Sequence, residues 1–306
     1  MHDMIILIIG LVCAGVGGEL FVRGLVGIAF IAGISAGIVG ATVSAFATSS
    51  PELFVGVSAA LSHAPHISFG NILGANVVNI VMVLGLTLTL TGSIRGSITD
   101  IKRDLSIAFL APVITGILLL DGTLSRIDGV IMLAIFFLWI ATVLRDLRKE
   151  RLTSKSSLQK SNPRITLIYS AIGLALLFGA GKFIISGARG IAISLGWSEF
   201  IIGQIIVAIG TTIPELATTL ISRIRGHDEV GLGTVMGSNI FNGLFIVGIV
   251  AILSPISISL TAAGKALLAG IIAIALIIPS KKGRLGRVRG GVLLLFYILY
   301  IVITFQ

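Results

Sequence analysis

Two short stretches, TSSPEL at 48–53 and TTIPEL at 211–216, each set a glutamate directly behind a proline and beside hydroxyl side chains, in surroundings that are otherwise apolar. A lone carboxylate in such a setting costs several kcal/mol unless it finds a partner. Glu52 and Glu215 have candidate co-ligands close by in the hydroxyls of Thr48, Ser49, Thr211 and Thr212. Each stretch is followed by a G-x-N-x-x-N run, 74–79 and 237–242, which adds the side-chain amides of Asn79 and Asn242. Pro51 and Pro214 each remove a helical hydrogen bond, which should break their helices and loosen backbone carbonyls around Ala45 and Ala208. The result is a ligand set made of oxygen alone. Hard cations take such a set: Ca²⁺ binds about 6 to 8 oxygens, and two carboxylates balance its charge. Neither His nor Cys takes part, which disfavours zinc and copper.

The elements that must hold these groups are membrane spans. The chain has 306 residues, 56% hydrophobic and 11% charged, with a mean hydropathy of +1.11. Apolar stretches of about 20 residues, the length that crosses a hydrocarbon core, recur from end to end. Ten spans fit, near 4–30, 34–61, 67–91, 104–120, 127–145, 165–193, 198–225, 230–253, 260–279 and 287–305. The net charge of +9 does not point to nucleic acid, because the basic residues gather in four connections. These hold Arg95, Lys102 and Arg103; the run from Arg145 to Arg164; Arg223 and Arg225; and Lys281 to Arg289. They alternate with connections poor in Lys and Arg, at 62–68, 121–128 and 254–264, which is the positive-inside pattern. The basic connections are therefore expected in the cytoplasm, in contact with anionic lipids, with both termini outside the cell membrane. The first apolar run lacks a basic leader and reads as a span rather than a removable signal peptide. The single cysteine, Cys13, excludes a disulfide framework and reads as a packing residue.

Internal repetition sets the architecture. Adding 163 to a number in the first half finds its counterpart in the second without gaps, from Gly10/Gly173 to Gly85/Gly248. Along that register Thr48, Pro51, Glu52 and Leu53 meet Thr211, Pro214, Glu215 and Leu216, and Gly74, Asn76 and Asn79 meet Gly237, Asn239 and Asn242. Five spans per half is an odd number, so the second copy enters the membrane from the opposite side. The expected fold is an all-α membrane protein of ten transmembrane helices, two inverted five-helix repeats with broken helices at the ion site. Residues 1–145 form the first repeat, 146–164 a basic cytoplasmic linker and 165–306 the second. Inversion brings the two proline-glutamate segments face to face.

Other polar groups read as structural. Glu19 and Arg23 stand four apart and can pair with each other. Asn76 and Asn239 suit helix-to-helix hydrogen bonds as well as ion contact. His63 and His66 belong to a short outer loop. The paired glycines Gly18/Gly181 and Gly24/Gly187 offer a smooth surface on which the first and sixth spans could shift against the core.

ATSSPEL with GNILGANVVNI, and GTTIPEL with GTVMGSNIFNG, resemble the paired repeats of the cation/calcium antiporter superfamily, in its sodium/calcium exchanger branch and prokaryotic type. The resemblance covers nearly the whole chain. It implies a secondary antiporter that exchanges Ca²⁺ for Na⁺ by alternating access, with no enzymatic reaction and no cofactor besides the transported ions. It also implies that Glu52 and Glu215 are the shared ion-binding carboxylates, assisted by Ala45, Thr48, Ser49 and Asn79 and by Ala208, Thr211, Thr212, Ser238 and Asn242. The chain departs from the family pattern at three places. Asn242 stands where an aspartate is frequent, Ala75 where a serine is frequent, and Ala47 where a glycine is frequent. Coupling to H⁺ or Mg²⁺ instead of Na⁺ stays open from the residues, and a cation channel would share the same acidic cage.

Overall fold

The computed structural model describes residues 2–31, 44–95, 98–151, 162–224, 226, 228–278 and 284–305. Among these, ten helical segments run in the expected order. They are α1 (His2–Ile31), α2 (Ser50–Leu61), α3 (Pro65–Thr91), α4 (Ile98–Leu118), α5 (Arg126–Arg151), α6 (Pro163–Leu195), α7 (Glu199–Ile224), α8 (Gly231–Leu253), α9 (Leu260–Leu276) and α10 (Arg287–Thr304). Eight of them are long and apolar enough to cross a membrane; α2 and α9 are shorter apolar helices. A separate helical turn, Ser44–Thr48, precedes α2. Residues 34–43 of the second expected span and 152–161 of the basic linker lie outside the described residues.

Burial sorts the helices into layers. The most hydropathic windows of α3 and α8 are 78% and 83% buried, whereas those of α4, α5 and α10 are 22–28% buried, so α3 and α8 form the centre and the others face outward. The outward faces carry large apolar side chains, among them Leu61, Phe137, Leu138, Ile193, Leu295 and Ile298. Lipid is the solvent that suits them. One core cluster joins α3, α4, α5, α8, α9 and α10 through residues such as Phe69, Leu84, Met132, Phe136, Phe241 and Leu293. A second surrounds α1 and α6 with Leu7, Ala14, Ala180, Ile184 and Ala188, packed on Val55, Ala59 and Ile202.

Two small strand pairs tie the halves together. β1 (Ser93–Arg95) pairs antiparallel with β4 (Arg284–Gly286), and β2 (Thr123–Leu124) with β3 (Ile256–Ser257). Adding 163 carries β1 onto β3 and brings β2 onto the end of β4, so each pair is the mirror of the other. One clasp lies at the basic connections and one at the connections poor in basic residues, as inversion of the repeats requires.

Close helix crossings rest on missing side chains. A Cβ on Gly70 or Gly74 of α3 would meet the backbone of Phe200 or Gln204 of α7, and one on Gly203 would meet the Ile67 carbonyl. Helices α1 and α6 run antiparallel along a seam of glycines spaced by seven. Gly10 faces Ile184, Gly17 faces Gly173 and Leu176, Gly24 faces Ser170, and Gly187 faces Leu7. The sliding surface expected from paired glycines is therefore divided. Gly24 and Gly187 bind α1 to α6, while Gly18 touches Pro51 and Gly181 touches Phe54 and Ser58 of α2.

A candidate cation site between two broken helices

The proline breaks fall one residue earlier than the prolines alone would suggest, and they match each other. Helix Ser44–Thr48 stops at Ser49 (φ −86°, ψ 10°), and α7 is interrupted at Thr212 (φ −85°, ψ 4°). Both are in the sparsely allowed bridge region between helix and strand, and Pro51 and Pro214 follow in the first turns of the restarted helices, where a missing N–H costs the restarted helix no hydrogen bond. The helices restart as Ser50–Leu61 and Ile213–Ile224, which puts Glu52 and Glu215 into first turns. A helix N-terminus carries partial positive charge, so both carboxylates gain stabilisation where lipid would otherwise penalise them. Both residues are fully buried.

The carboxylates sit in unlike surroundings. Ser49 Oγ donates to Glu215 Oε1 at 3.0 Å, and Ser238 Oγ donates to the same oxygen at 3.2 Å. Thr48 Oγ1 lies 3.3 Å from Ser238 Oγ, a contact in which either hydroxyl can donate, and Thr48 also hydrogen-bonds the Glu215 carboxylate. Neither oxygen of Glu52 has a hydrogen-bond partner, nor has Oε2 of Glu215. Thr212 donates back into its own helix, to Ala208 O at 2.9 Å, and Thr211 donates to Asn71 Oδ1 at 3.1 Å.

The amides come from π-helical turns, Asn79–Leu84 in α3 and Phe241–Ile246 in α8. Such turns hold one extra residue per hydrogen-bonded ring and recur at functional sites. Asn79 and Asn242 are fully buried. Asn79 Nδ2 donates to Asn239 Oδ1 at 3.2 Å, while its own Oδ1 is unpartnered, as are both polar atoms of the Asn242 amide. Asn76 and Asn239 clasp each other across the pseudo-twofold: Asn76 Nδ2 donates to Asn239 O at 3.2 Å and Asn239 Nδ2 to Asn76 O at 3.0 Å. That reciprocal pair is helix-to-helix bonding, though Asn76 Oδ1 is left without a partner.

Among the described residues, six carboxylate and amide oxygens are thus buried without a partner: two of Glu52 and one each of Glu215, Asn76, Asn79 and Asn242. Unpaired acceptors at this depth are costly unless a cation or water meets them. Their number and hardness suit a Ca²⁺ ion, or smaller groups of them a Na⁺ ion. Among the described residues no three His, Cys, Asp or Glu side chains gather, so the two carboxylates stand with neutral oxygens only.

The structure brings Glu52, Glu215, Thr48, Ser49, Thr211, Asn79, Asn242 and Ser238 to the two breaks and the π turns beside them. Thr212 and Ala208 are present but engaged. The Ala208 carbonyl accepts from Thr212 N and Oγ1 and more weakly from Thr211 Oγ1 at 3.4 Å. Pro214 instead deprives the Gly210 carbonyl, four residues back, of its helical donor. Ala45 lies in Ser44–Thr48, its side chain outside the described residues. Asn71 is a neighbour that repeat matching does not reveal, because its counterpart is Thr234. Away from the site, Glu19 and Arg23 form the expected ion pair at 2.7 Å, and Cys13 packs against the α1–α6 cluster.

A family model described as "Sodium/calcium exchanger protein" matches residues 2–145 and 165–306. "Putative antiporter CaxA" from Alkalimonas amylolytica is 33% identical, over 99% of this chain and 98% of its own. "Sodium/calcium exchanger MaX1" from Methanosarcina acetivorans is 27% identical, again over 99% and 98%. Among solved structures, the sodium-calcium exchanger NCX_Mj soaked with 2.5 mM Na⁺ and 0.1 mM Sr²⁺ superposes with a TM-score of 0.67 at 27% identity, covering 98% of each chain. NCX_Mj has ten helices in inverted repeats, the architecture seen here.

Proposed function

The chain belongs to the sodium/calcium exchanger protein family, and from that membership we propose that it exchanges Ca²⁺ for Na⁺ across a membrane at the site between the two helix breaks. The observation that carries the assignment of the site is the pair of fully buried carboxylates, Glu52 and Glu215, placed in first turns at mirror-related breaks with three unpartnered oxygens between them. In this reading Glu52 and Glu215 neutralise the divalent ion, Asn79 and Asn242 add amide oxygens, and Thr48, Ser49, Thr211, Thr212 and Ser238 supply hydroxyls. Backbone carbonyls near Ala45 and Ala208 complete the shell when the hydroxyls now bonded to Ala208 turn away. The ions are cargo. The same oxygens cannot serve Ca²⁺ and a set of Na⁺ ions together, so each crossing carries one kind and the gradient of one drives the other.

Alternating access belongs to the same proposal. Helices α1 and α6, joined by their glycine seam, move as a pair across α2 and α7. The contacts that must slide include those of Gly18 on Pro51 and Gly181 on Phe54 and Ser58, together with the Leu11 side chain seated at Gly210 and Phe21 and Phe178 against Phe54. Residues 1–145 and 165–306 act as the two inverted repeats, with 146–164 a cytoplasmic linker and both termini outside the cell membrane, as the basic connections support.

Purified protein in vesicles loaded with Na⁺, K⁺ or a pH step tests the reading directly. Ca²⁺ uptake is expected only against an outward Na⁺ gradient; uptake driven by pH alone would replace Na⁺ by H⁺ as the driving ion, and Ca²⁺ passage with no counter-ion would make the protein a channel. Glu52→Gln and Glu215→Gln keep shape and each remove one charge, so each should abolish uptake in a protein that still elutes as a folded species. Wild-type flux in both variants would move the site elsewhere.

A further inference from the structure

The asymmetry between the two carboxylates has a source. By the repeat register, the three hydroxyls that serve Glu215 come from Ser49, Thr48 and Ser238; their counterparts near Glu52 are Thr212, Thr211 and Ala75. Neither Thr212 nor position 75 donates to Glu52. Thr212 bonds Ala208 O, and position 75 has no hydroxyl. Thr211 Oγ1 also reaches the Glu52 carboxylate, but it donates to Asn71 Oδ1 at 3.1 Å and more weakly to Ala208 O at 3.4 Å, so Asn71 competes with Glu52 for a single proton. A hydroxyl has one proton and two lone pairs, so a threonine that gives its proton away on one side presents an acceptor on the other. Asn71 is fully buried, and its Nδ2 has no partner. Its amide is therefore not held in place by a second bond of its own.

We propose that Asn71 is a positioning residue for Ca²⁺ binding: its Oδ1 takes the Thr211 hydroxyl proton, which turns the Thr211 oxygen toward the cation and leaves Glu52 uncapped as an ion ligand. Without that acceptor, the nearest strong acceptor for the Thr211 proton is Glu52 itself. A hydroxyl bonded to the carboxylate must be displaced before the ion can bind, and hydrogen bonds to charged groups are among the strong ones in proteins. The second repeat has Thr234 at this position, a hydroxyl in place of an amide. The inference rests on the assignment of the site made above.

The test is a double-mutant cycle on the full chain in vesicles, scored by the Ca²⁺ concentration for half-maximal uptake and by the maximal rate. Asn71→Leu, nearly the same size but without an acceptor, is expected to raise the half-saturating concentration by about tenfold and to change the maximal rate by less than about twofold. Thr211→Val should do the same. In the double variant the loss should be no larger than in either single one, because Asn71 acts through the Thr211 hydroxyl. Asn71→Asp keeps an acceptor oxygen in place and should hold Ca²⁺ at least as well as the parent. Losses that multiply in the double variant, an unchanged half-saturation in Asn71→Leu, or an Asp variant as weak as the Leu variant would each overturn the proposal. If leucine prevents folding, Asn71→Ala removes the acceptor without bulk and carries the same expectations. Wild-type uptake in Glu52→Gln would remove the site and this role with it, whereas an inactive Glu52→Gln beside an unaffected Asn71→Leu would remove the role alone.

Discussion

At the scale of single residues, the cage is defined as much by what lacks charge as by what carries it. Glu52 and Glu215 are its carboxylates, while Asn242 stands at a position where an aspartate is frequent in the family pattern, and Asn79 is neutral too. About two negative charges balance one Ca²⁺ or two monovalent ions, but not three. Exchange of one Ca²⁺ for about two Na⁺ is therefore expected, with little net charge moved per cycle. Asn242→Asp adds a third carboxylate that every loaded state must neutralise with an ion or a proton, so its flux should gain a dependence on voltage or pH. Reversal potentials in vesicles decide the matter: a parent flux that shifts strongly with voltage at fixed gradients sinks the two-for-one reading. Most residues of the proposed cage were legible because the repeat prints them twice, whereas Ser238, opposite Ala75, came from the family resemblance. Asn71 was not legible, since Thr234 stands opposite, and repetition is blind to a position whose residue type differs between the halves. The direction of each hydroxyl was equally hidden, because Thr48 and Thr211 are the same residue at matched positions and yet bond to Ser238 and Asn71.

At the scale of elements, prolines and glycines do unlike work. The breaks at Ser49 and Thr212 follow from Pro51 and Pro214, a cause the sequence states openly. The π turns at Asn79–Leu84 and Phe241–Ile246 have no such marker: each lies in an apolar run that would continue as ordinary helix, and tertiary packing inserts the extra residue. The matched glycines Gly70 and Gly233 separate repetition from mechanism. A Cβ on Gly70 runs into the Phe200 carbonyl and comes within 3.0 Å of Gln204 N, whereas a Cβ on Gly233 meets nothing within 4 Å. Alanine in a helix interior is intrinsically favoured over glycine by about 1 kcal/mol. Gly233→Ala should therefore leave the thermal midpoint in detergent unchanged or raised, while Gly70→Ala should lower it by several degrees because α7 must back away from α3. Equal shifts in both variants would mean that the α3–α7 crossing is looser than described.

At the scale of the whole molecule, one hydrophobic cluster centres on α3 and α8, while the other gathers α1 and α6 as a pair and packs them on Val55 and Ala59 of α2, Ile67 of α3 and Ile202 and Val207 of α7. Within the pair, backbones meet along Gly10, Gly17, Gly24, Gly173 and Gly187, a contact too intimate to shift without a clash. Between pair and remainder the glycines meet mainly side chains, Gly18 on Pro51, Gly181 on Ser58 and Gly210 on Leu11, beside the Phe54 ring edge-on against Phe178 and Phe21 at 4.9 and 6.0 Å. Side chains can change rotamer where paired backbones cannot, so movement is expected at the second boundary and not at the first. Two cross-links in a Cys13→Ala background separate these cases. Gly10→Cys with Phe183→Cys joins α1 to α6, where the glycine's Cβ position is 3.1 Å from the Phe183 Cβ, close to disulfide range once the helices give by a few tenths of an ångström. Phe54→Cys with Phe178→Cys, bridged by a short bifunctional thiol reagent, joins α6 to α2. Ca²⁺ uptake in vesicles should survive the first link at close to the parent rate, since the pair travels together. It should fall by at least about tenfold with the second and return on reduction, since α6 is then fastened to the segment that holds Glu52. Loss of uptake with the α1–α6 link, or full uptake with the α6–α2 link, would place the moving boundary elsewhere in the molecule.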